Sequence, residues 1–528
     1  MNRLLPRVDF VPLSEGAICS VPDVIGVTLD GLEDWCLTAF AGRCKQPVVH
    51  GDWMSLRREP ALLDEAYRLT ISEDRVCITA GGERGAIWGL VTMAQLLREN
   101  TELPTGTLED CPRYSHRGLL LDCSRHFFDA EEVKRVIELM SIAKMNVLHW
   151  HLSDDQGWRI ESKRFPRLHE TSRLYYMQNE IKKVVDYARL RGVEIIPEID
   201  MPGHTLGILA AYPDLSCSGE AAHLVKSGGI YRKILCVGKE ETYAFLDALL
   251  EELCNLFPSN RFHIGGDEAP KAAWKECPHC RSLMRKKGFS DWEDLQGEFS
   301  CRVNELLKKH GKSPILWNDS LRANRFPEEA IAQYWSVAYN GETADYVRRG
   351  GAWLESDMFE LYFDYPYAMT PLKKVYECKP DFGSEGTPAK EPIGIEACVW
   401  AEHIHTKEQL EALLFPRLYA VAELSWSGSG DYDSFEQRLS LFCEKLGHLA
   451  DSFTPRACWN PEGAVRQREA FAYLRSLHEV GLRESEEKVD PRPEGADFGR
   501  KFMSRFFRPE DIPILTGNAG GKEHEALS

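Results

Sequence analysis

The chain has 528 residues, more than one ordinary domain holds, so two or three domains are expected. Its formal net charge of -18 argues against a nucleic-acid partner, because phosphate binding needs clustered Lys and Arg. No apolar run reaches the length of a membrane span.

The first sixteen residues carry basic side chains but only a very short apolar segment, unlike a secretory signal. Sixteen cysteines without such a signal point to free thiols and a reducing, cytoplasmic location. Residues 1–111 read as a separate small α/β domain. Tyr67–Ser72 and Val76–Ala80 alternate like strands about a Glu73-Asp74 turn, and Gly85–Leu97 reads as an apolar helix. No catalytic constellation stands in this part, and Cys111-Pro112 marks its end.

From 112 to 450, strand-like and helix-like segments alternate, which is the signature of a parallel β/α architecture. Strands are expected at Gly118–Asp122, Val147–Ser153, Val193–Ile199, Arg261–Gly266, Pro314–Trp317, Ile331–Trp335, within Ala352–Phe363, and at Gly394–Trp400. Helices at Ala130–Lys144, Glu180–Arg191, Glu240–Phe257 and Lys407–Leu424 fall between or after them. Eight such units fit a closed (β/α)8 barrel of the TIM type. Cys277-Pro-His-Cys280 has metal-ligand spacing, but no second Cys/His pair stands nearby. It reads as structural, with a zinc site or a labile disulfide as the alternatives. Residues 451–528 are expected to pack as helices against the barrel without a part in chemistry. Glu484–Lys488 reads as solvated and the Gly-rich tail from Gly517 as disordered.

One stretch organises the rest. Arg261-Phe-His-Ile-Gly-Gly-Asp-Glu268 is an apolar run ending in two glycines and two adjacent acids. Neighbouring side chains on a regular strand point to opposite faces. Asp267 and Glu268 can therefore converge on one ligand only if the strand ends at the glycines and the chain bends. A lone acid pair is ordinarily a solvated loop or the first turn of a helix. Here the other strand ends carry matching groups: Asp122 and Arg125, Asp154 and Asp155, His204, Trp317 and Asp319, Trp335, Tyr362 and Asp364, Trp400 and Glu402. Sites in such barrels sit at the carboxyl ends of the strands. Aromatic faces stack on a pyranose while carboxylates and Arg take its hydroxyls. The mixture points to a glycoside hydrolase.

Several strings carry a family resemblance. They are His116-Arg-Gly-Leu-Leu-Leu-Asp-Cys-Ser-Arg-His126, His149-Trp-His-Leu-Ser-Asp-Asp-Gln-Gly-Trp158, Glu198-Ile-Asp-Met-Pro-Gly-His204, the stretch above, and Leu414-Phe-Pro-Arg-Leu-Tyr-Ala-Val-Ala-Glu423. From Ser115 to Trp426 the chain resembles the β-N-acetylhexosaminidases of glycoside hydrolase family 20, and looks most like the bacterial intracellular members. The region before it resembles the small N-terminal domain of that family. The resemblance implies exo-acting, retaining release of terminal β-linked GlcNAc or GalNAc from oligosaccharides or glycoconjugates, without cofactor or metal. The substrate's own acetamide is the implied nucleophile, an exception to the two-carboxylate retaining scheme. Glu268 is then the acid/base, Asp267 the group that orients the acetamide, and His204 with Asp154 a relay behind Glu268. Arg125 and Glu402 would take ring hydroxyls, and Tyr362 the acetamido oxygen with Asp364 beside it. Trp317, Trp335 and Trp400 would wall the pocket. One departure is the loop Tyr365-Pro-Tyr-Ala-Met-Thr-Pro-Leu372, which lacks a Trp that many members carry; Tyr367 could partly substitute.

Two other readings compete. His149-x-His151 mimics the HxH of metal-dependent hydrolases, although two strand side chains on one face can simply be packed or hydrogen-bonded within the barrel. A non-catalytic sugar-binding barrel would require loss of Asp267 or Glu268, and both are present.

Overall fold

The computed structural model describes residues 4–14, 16–98, 100–382, 388–481 and 505–506. Eight parallel strands close into a barrel: His116–Asp122, Val147–His151, Glu194–Glu198, Arg261–His263, Ser313–Trp317, Ile331–Tyr334, Ala352–Glu355 and Gly394–Val399. The last pairs with the first, Leu120 opposite Cys398.

Strand alternation explains how the barrel fills. Leu148 and Trp150 point outward into the core shared with the helices. Val147, Ile196, Ile315, Ile331 and Leu354 point inward and form an apolar layer of their own. Two residues further along four of these strands come His149, Glu198, Trp317 and Gln333, all buried. Another step of two reaches His151, Asp200, Asp319 and Trp335, at the carboxyl rim. An apolar plug therefore carries a polar layer, and the polar layer carries the site.

The helices are placed by ordinary means. Ala130–Ser141 opens with a capping box in which Asp129 accepts from the Glu132 N–H and the Glu132 carboxylate accepts from the Asp129 N–H. Val133, Val136, Ile137 and Met140 give it a buried face. The single helix expected over Lys407–Leu424 is two, Lys407–Leu414 and Arg417–Ser427. Pro416 forces Phe415 into an extended conformation, which breaks the run. The break lets buried Arg417 donate to the carbonyls of Phe363, Tyr365 and Thr370, stitching down the loop after the seventh strand. That strand is shorter than the segment expected to hold it, so Tyr362 and Asp364 sit in the loop beyond. The second strand likewise ends at His151, and Ser153–Asp154 turns back to pair with Gly157–Trp158.

Ahead of the barrel, a seven-stranded sheet packs against the helices Cys36–Ala41 and Glu83–Leu97. Buried Lys144 joins it to the barrel through Asp110 at 2.7 Å, and Trp426 Nε1 donates to the same carboxylate. Glu484–Lys488 and the tail from Gly517 lie outside the described residues. The helix Gly463–Gly481 packs Ala470 and Tyr473 into the aromatic cluster that contains Trp335, Tyr362 and Tyr365. Cys277 and Cys280 do not stand as an isolated pair. Cys217 and Cys236, from the long connection after the third strand, converge on them. The separation in sequence is wide, and the pairing of the third strand with the fourth brings the two loops side by side.

The fourth strand is the most constrained. Gly265 has φ 63° and Gly266 φ 96°, and a Cβ on Gly265 would stand 1.7 Å from Asp200 Oδ1. Gly265→Ala is expected to lower the unfolding free energy in urea titration by about 2–4 kcal/mol, combining left-handed backbone cost with overpacking. A variant as stable as the parent would contradict this account of the bend.

Candidate active site

The fourth strand stops at His263, but its backbone stays tied to the barrel: Trp317 N–H donates to Gly265 O at 3.0 Å. The two glycines then turn the chain. Glu268 itself adopts φ 46°, a conformation that a residue with a side chain reaches only when its surroundings hold it there. Those surroundings are specific. Asp200 accepts from Gly266 N–H at 3.1 Å and Asp319 accepts from Glu268 N–H at 2.7 Å. Gln296 and Ser320 both donate to Gly266 O. Through this bend the consecutive acids reach the same imidazole. His204 Nε2 lies 3.7 Å from Asp267 Oδ2 and 3.6 Å from Glu268 Oε2.

His204 is held from behind by Asp154 and Asp155, whose carboxylates lie 3.3 and 3.4 Å from its Nδ1. Burial disfavours its charged form, but the Asp154 charge, together with hydrogen bonds to Asp154, Asp155 and Glu268, holds its pKa well above the usual imidazole range. Burial would also raise the pKa of Asp154, and Arg125 with His204 drives it well below the ordinary carboxylate range instead. Asp267 is pushed up to about 6 by burial, against the pull of His204. Asp319, buried and facing the Asp267 charge, is pushed up to about 8, and Asp200 is raised well above its usual value for the same reasons. These shifts favour a charged imidazole beside Asp267 and favour the protonated forms of the two flanking carboxyls, Asp200 and Asp319.

On the other side, Arg125 lies 2.8 Å from Asp154, 3.3 Å from Asp122 and 3.5 Å from Glu402, with its guanidinium over Trp400. Trp335 stacks on Tyr362 at 6.5 Å with rings 13° apart, and Trp400 meets Tyr362 at 61°. Burial raises the Tyr362 phenol well above its usual range, and burial with the Glu402 charge pushes Asp364 up to about 8. Trp317 joins this aromatic group from the fifth strand, 5.8 Å from Trp400. It is fully buried, donates to Glu198 at 3.1 Å and meets Trp400 with the rings tilted by 50°. Several buried polar atoms here have no hydrogen-bond partner within the protein, among them Asp267 Oδ1, His204 Nε2, Trp335 Nε1 and Asp364 Oδ1. Such a concentration of unsatisfied groups is what a polar ligand would satisfy.

Sequence reasoning missed three contributors. Glu198, in the layer below, hydrogen-bonds His151 and lies 3.2 Å from His149 and 2.8 Å from His263. His149 also meets Glu396, which in turn meets His116. Burial opposes the charge on His149, yet Glu396 and Glu198 hold its pKa up at about 9. His151 Nε2 continues the chain to Asp154 at 3.0 Å. The His149-x-His151 pair is therefore tied to carboxylates inside the barrel, a pairing that alternation hinted at but could not specify. Asp200 and Tyr473 are the other two. Asp200 stood within a quoted string without a role, and Tyr473 hydrogen-bonds Asp364 from the C-terminal helix.

Comparisons with known proteins bear on this geometry. The profile of the glycosyl hydrolase family 20 catalytic domain matches residues 114–429, and that of domain 2 of the same family matches 37–111. A β-hexosaminidase of Porphyromonas gingivalis is 33% identical over 421 residues, covering 73% of this chain and 54% of the relative. One from Akkermansia muciniphila is 32% identical over 418 residues, covering 73% and 85%. The chain thus spans about half the length of the first relative and most of the second. Among solved structures, the family 20 exo β-N-acetylglucosaminidase of Vibrio harveyi, in complex with N-acetylglucosamine, superposes with a TM-score of 0.76 at 28% identity, covering 86% of this chain and 79% of that one. The β-N-acetylhexosaminidase of Bacteroides fragilis gives 0.78 at 27% identity, covering 87% and 99%.

Asp319 offers a pH test. Its folded pKa is raised above the unfolded value, so the folded state holds the extra proton. The contribution of this group to stability is therefore lost progressively as pH rises from about 4 to about 8. Asp319→Asn keeps an acceptor for Glu268 N–H and removes the titration. The variant is expected to gain about 2 kcal/mol or more relative to the parent between about pH 5 and about pH 8, read by urea titration at each pH. An unchanged difference across that range would contradict the assignment.

Proposed function

The chain belongs to glycosyl hydrolase family 20, and from that premise we propose that it is an exo-acting, retaining β-N-acetylhexosaminidase whose nucleophile is the substrate's own acetamide. The observation that carries this reading is the approach of Asp267 and Glu268 to one imidazole, His204, from a single bent strand end. Adjacent acids on one side of a site suit an acid/base and an amide anchor. A protein nucleophile would have to face the acid across the sugar, with the two carboxyls about 5–5.5 Å apart.

In this mechanism Glu268 gives its proton to the glycosidic oxygen as the C1–O bond breaks. The acetamido carbonyl oxygen attacks C1, and the positive charge spreads into the oxazolinium ring. Asp267, ionised, accepts the acetamido N–H and faces that charge, a stabilisation that grows toward the transition state. Water then attacks C1 from the side the aglycone left, and Glu268 takes back a proton. The two inversions give net retention. His204, charged and anchored by Asp154 and Asp155, sets the field around both acids.

Binding follows from the other rim residues. Arg125 has donors for ring hydroxyls, and Glu402, with its side chain 25% exposed, can accept from them. Tyr362 keeps its proton and can donate to the acetamido oxygen, while Trp335 and Trp400 offer faces to the methyl group and the sugar. The complex of the Vibrio enzyme with N-acetylglucosamine supports terminal β-linked GlcNAc as substrate, with GalNAc as the C4 epimer. The cysteine content supports a cytoplasmic setting, and no helix among the described residues is long and apolar enough to cross a membrane.

Glu268→Gln tests the acid role. Turnover of β-GlcNAc with a poor alkyl leaving group is expected to vanish, while activated aryl glycosides retain a measurable kcat. Equal loss for both would count against general acid catalysis by this residue.

A further inference from the structure

We propose that Cys217, Cys236, Cys277 and Cys280 form a tetrahedral zinc site that fastens the loop carrying His204 to the loop carrying Asp267 and Glu268. Nothing in the hydrolytic mechanism uses these thiols. All four sulfurs lie within 4.8 Å of one another. Three separations are 3.6 Å for Cys236–Cys277, 3.7 Å for Cys236–Cys280 and 3.9 Å for Cys217–Cys280. A zinc–sulfur bond of about 2.3 Å gives a tetrahedron with edges of about 3.8 Å. A disulfide would bring one pair to about 2.05 Å. The sulfurs therefore stand where the corners of a zinc tetrahedron belong, and four thiolates make a closed structural set.

The backbone is shaped to the same end. Cys277 caps and Cys280 lies in the first turn of the helix Pro278–Lys287, where unpaired N–H groups favour thiolates. Gly238 lets the turn after Cys236 press against the other loop; a Cβ there would stand 2.4 Å from Cys280 N and His279 C. Around the cluster, Cys236 N–H donates to Leu215 O and Trp274 Nε1 donates to Leu235 O. Cys217 is half-buried and gives an ion a way in, while the other three are buried. The long connection between Glu198 and Glu240 contains His204, so a clip at its far end limits how that loop moves against the fourth-strand loop. A metal closing so long a loop adds its binding free energy to folding.

The test uses the full chain, purified without added metal or chelator. Elemental analysis is expected to give about one zinc per chain. Thiol titration of the same protein, unfolded with chelator, is expected to find all sixteen cysteines reduced. Cobalt exchanged into the site should show the intense thiolate charge-transfer and d–d bands of tetrahedral coordination. Cys277→Ser with Cys280→Ser should lose the zinc and lower the thermal midpoint. If that variant fails to fold, the metal content and thiol count of the unaltered chain decide alone. A metal-free chain overturns the proposal, whether its thiols are all reduced or paired as disulfides. Iron in place of zinc overturns the choice of metal.

Discussion

Consecutive side chains on a strand diverge, so two neighbouring acids cooperate only where the chain abandons strand geometry. The rim of this barrel is built around that break. Two glycines in left-handed conformations begin it, and Glu268 is forced into the same region. The strain is held by groups from other strands: Asp200 from the third, and Asp319 and Ser320 after the fifth, together with Gln296. None of these supports has to meet a sugar. Their work is to hold a backbone shape that the fourth strand cannot keep unaided.

The same supports set the charge of the site. Asp200 and Asp319 are buried close to Asp267, and like charges cannot all ionise in one dry pocket. Burial and the Asp267 charge favour the protonated forms of the two supporting acids, while the pull of His204 favours ionisation of Asp267. His204 compensates from the other side and is itself backed by Asp154, which is shared with Arg125 and His151. His151 connects the rim to the Glu198–His149–Glu396 layer below. The interior of the barrel is thus an alternation of cations and anions rising from an apolar plug to the acids at the rim.

Much of this was legible in the sequence because strands and amphipathic helices announce themselves locally. The eight strands follow from apolar runs between helical segments, and Gly265-Gly266 marked the bend in the fourth. What the sequence withheld was pairing across distance. Period-two alternation says that His149 and His151 share a face, but not that Glu198 and Glu396 wait on it. The spacing of Cys277 and Cys280 invited a second pair, yet Cys217 and Cys236 are recognisable as that pair only once two loops are set side by side. Tyr473 lay in a helix assigned only to packing, and its hydroxyl reaches Asp364 across the rim. The break at Pro416 was readable by local rules, since proline restricts the residue before it.

The central claim is that these two acids guide an attack made by the substrate's amide. It is tested most directly by comparing the unaltered chain on aryl β-glycosides that differ only at C2. N-acetylglucosaminide should turn over rapidly, and the matching glucoside, with a hydroxyl in place of the acetamide, should be cleaved negligibly. Comparable kcat/KM for both sugars would contradict the account.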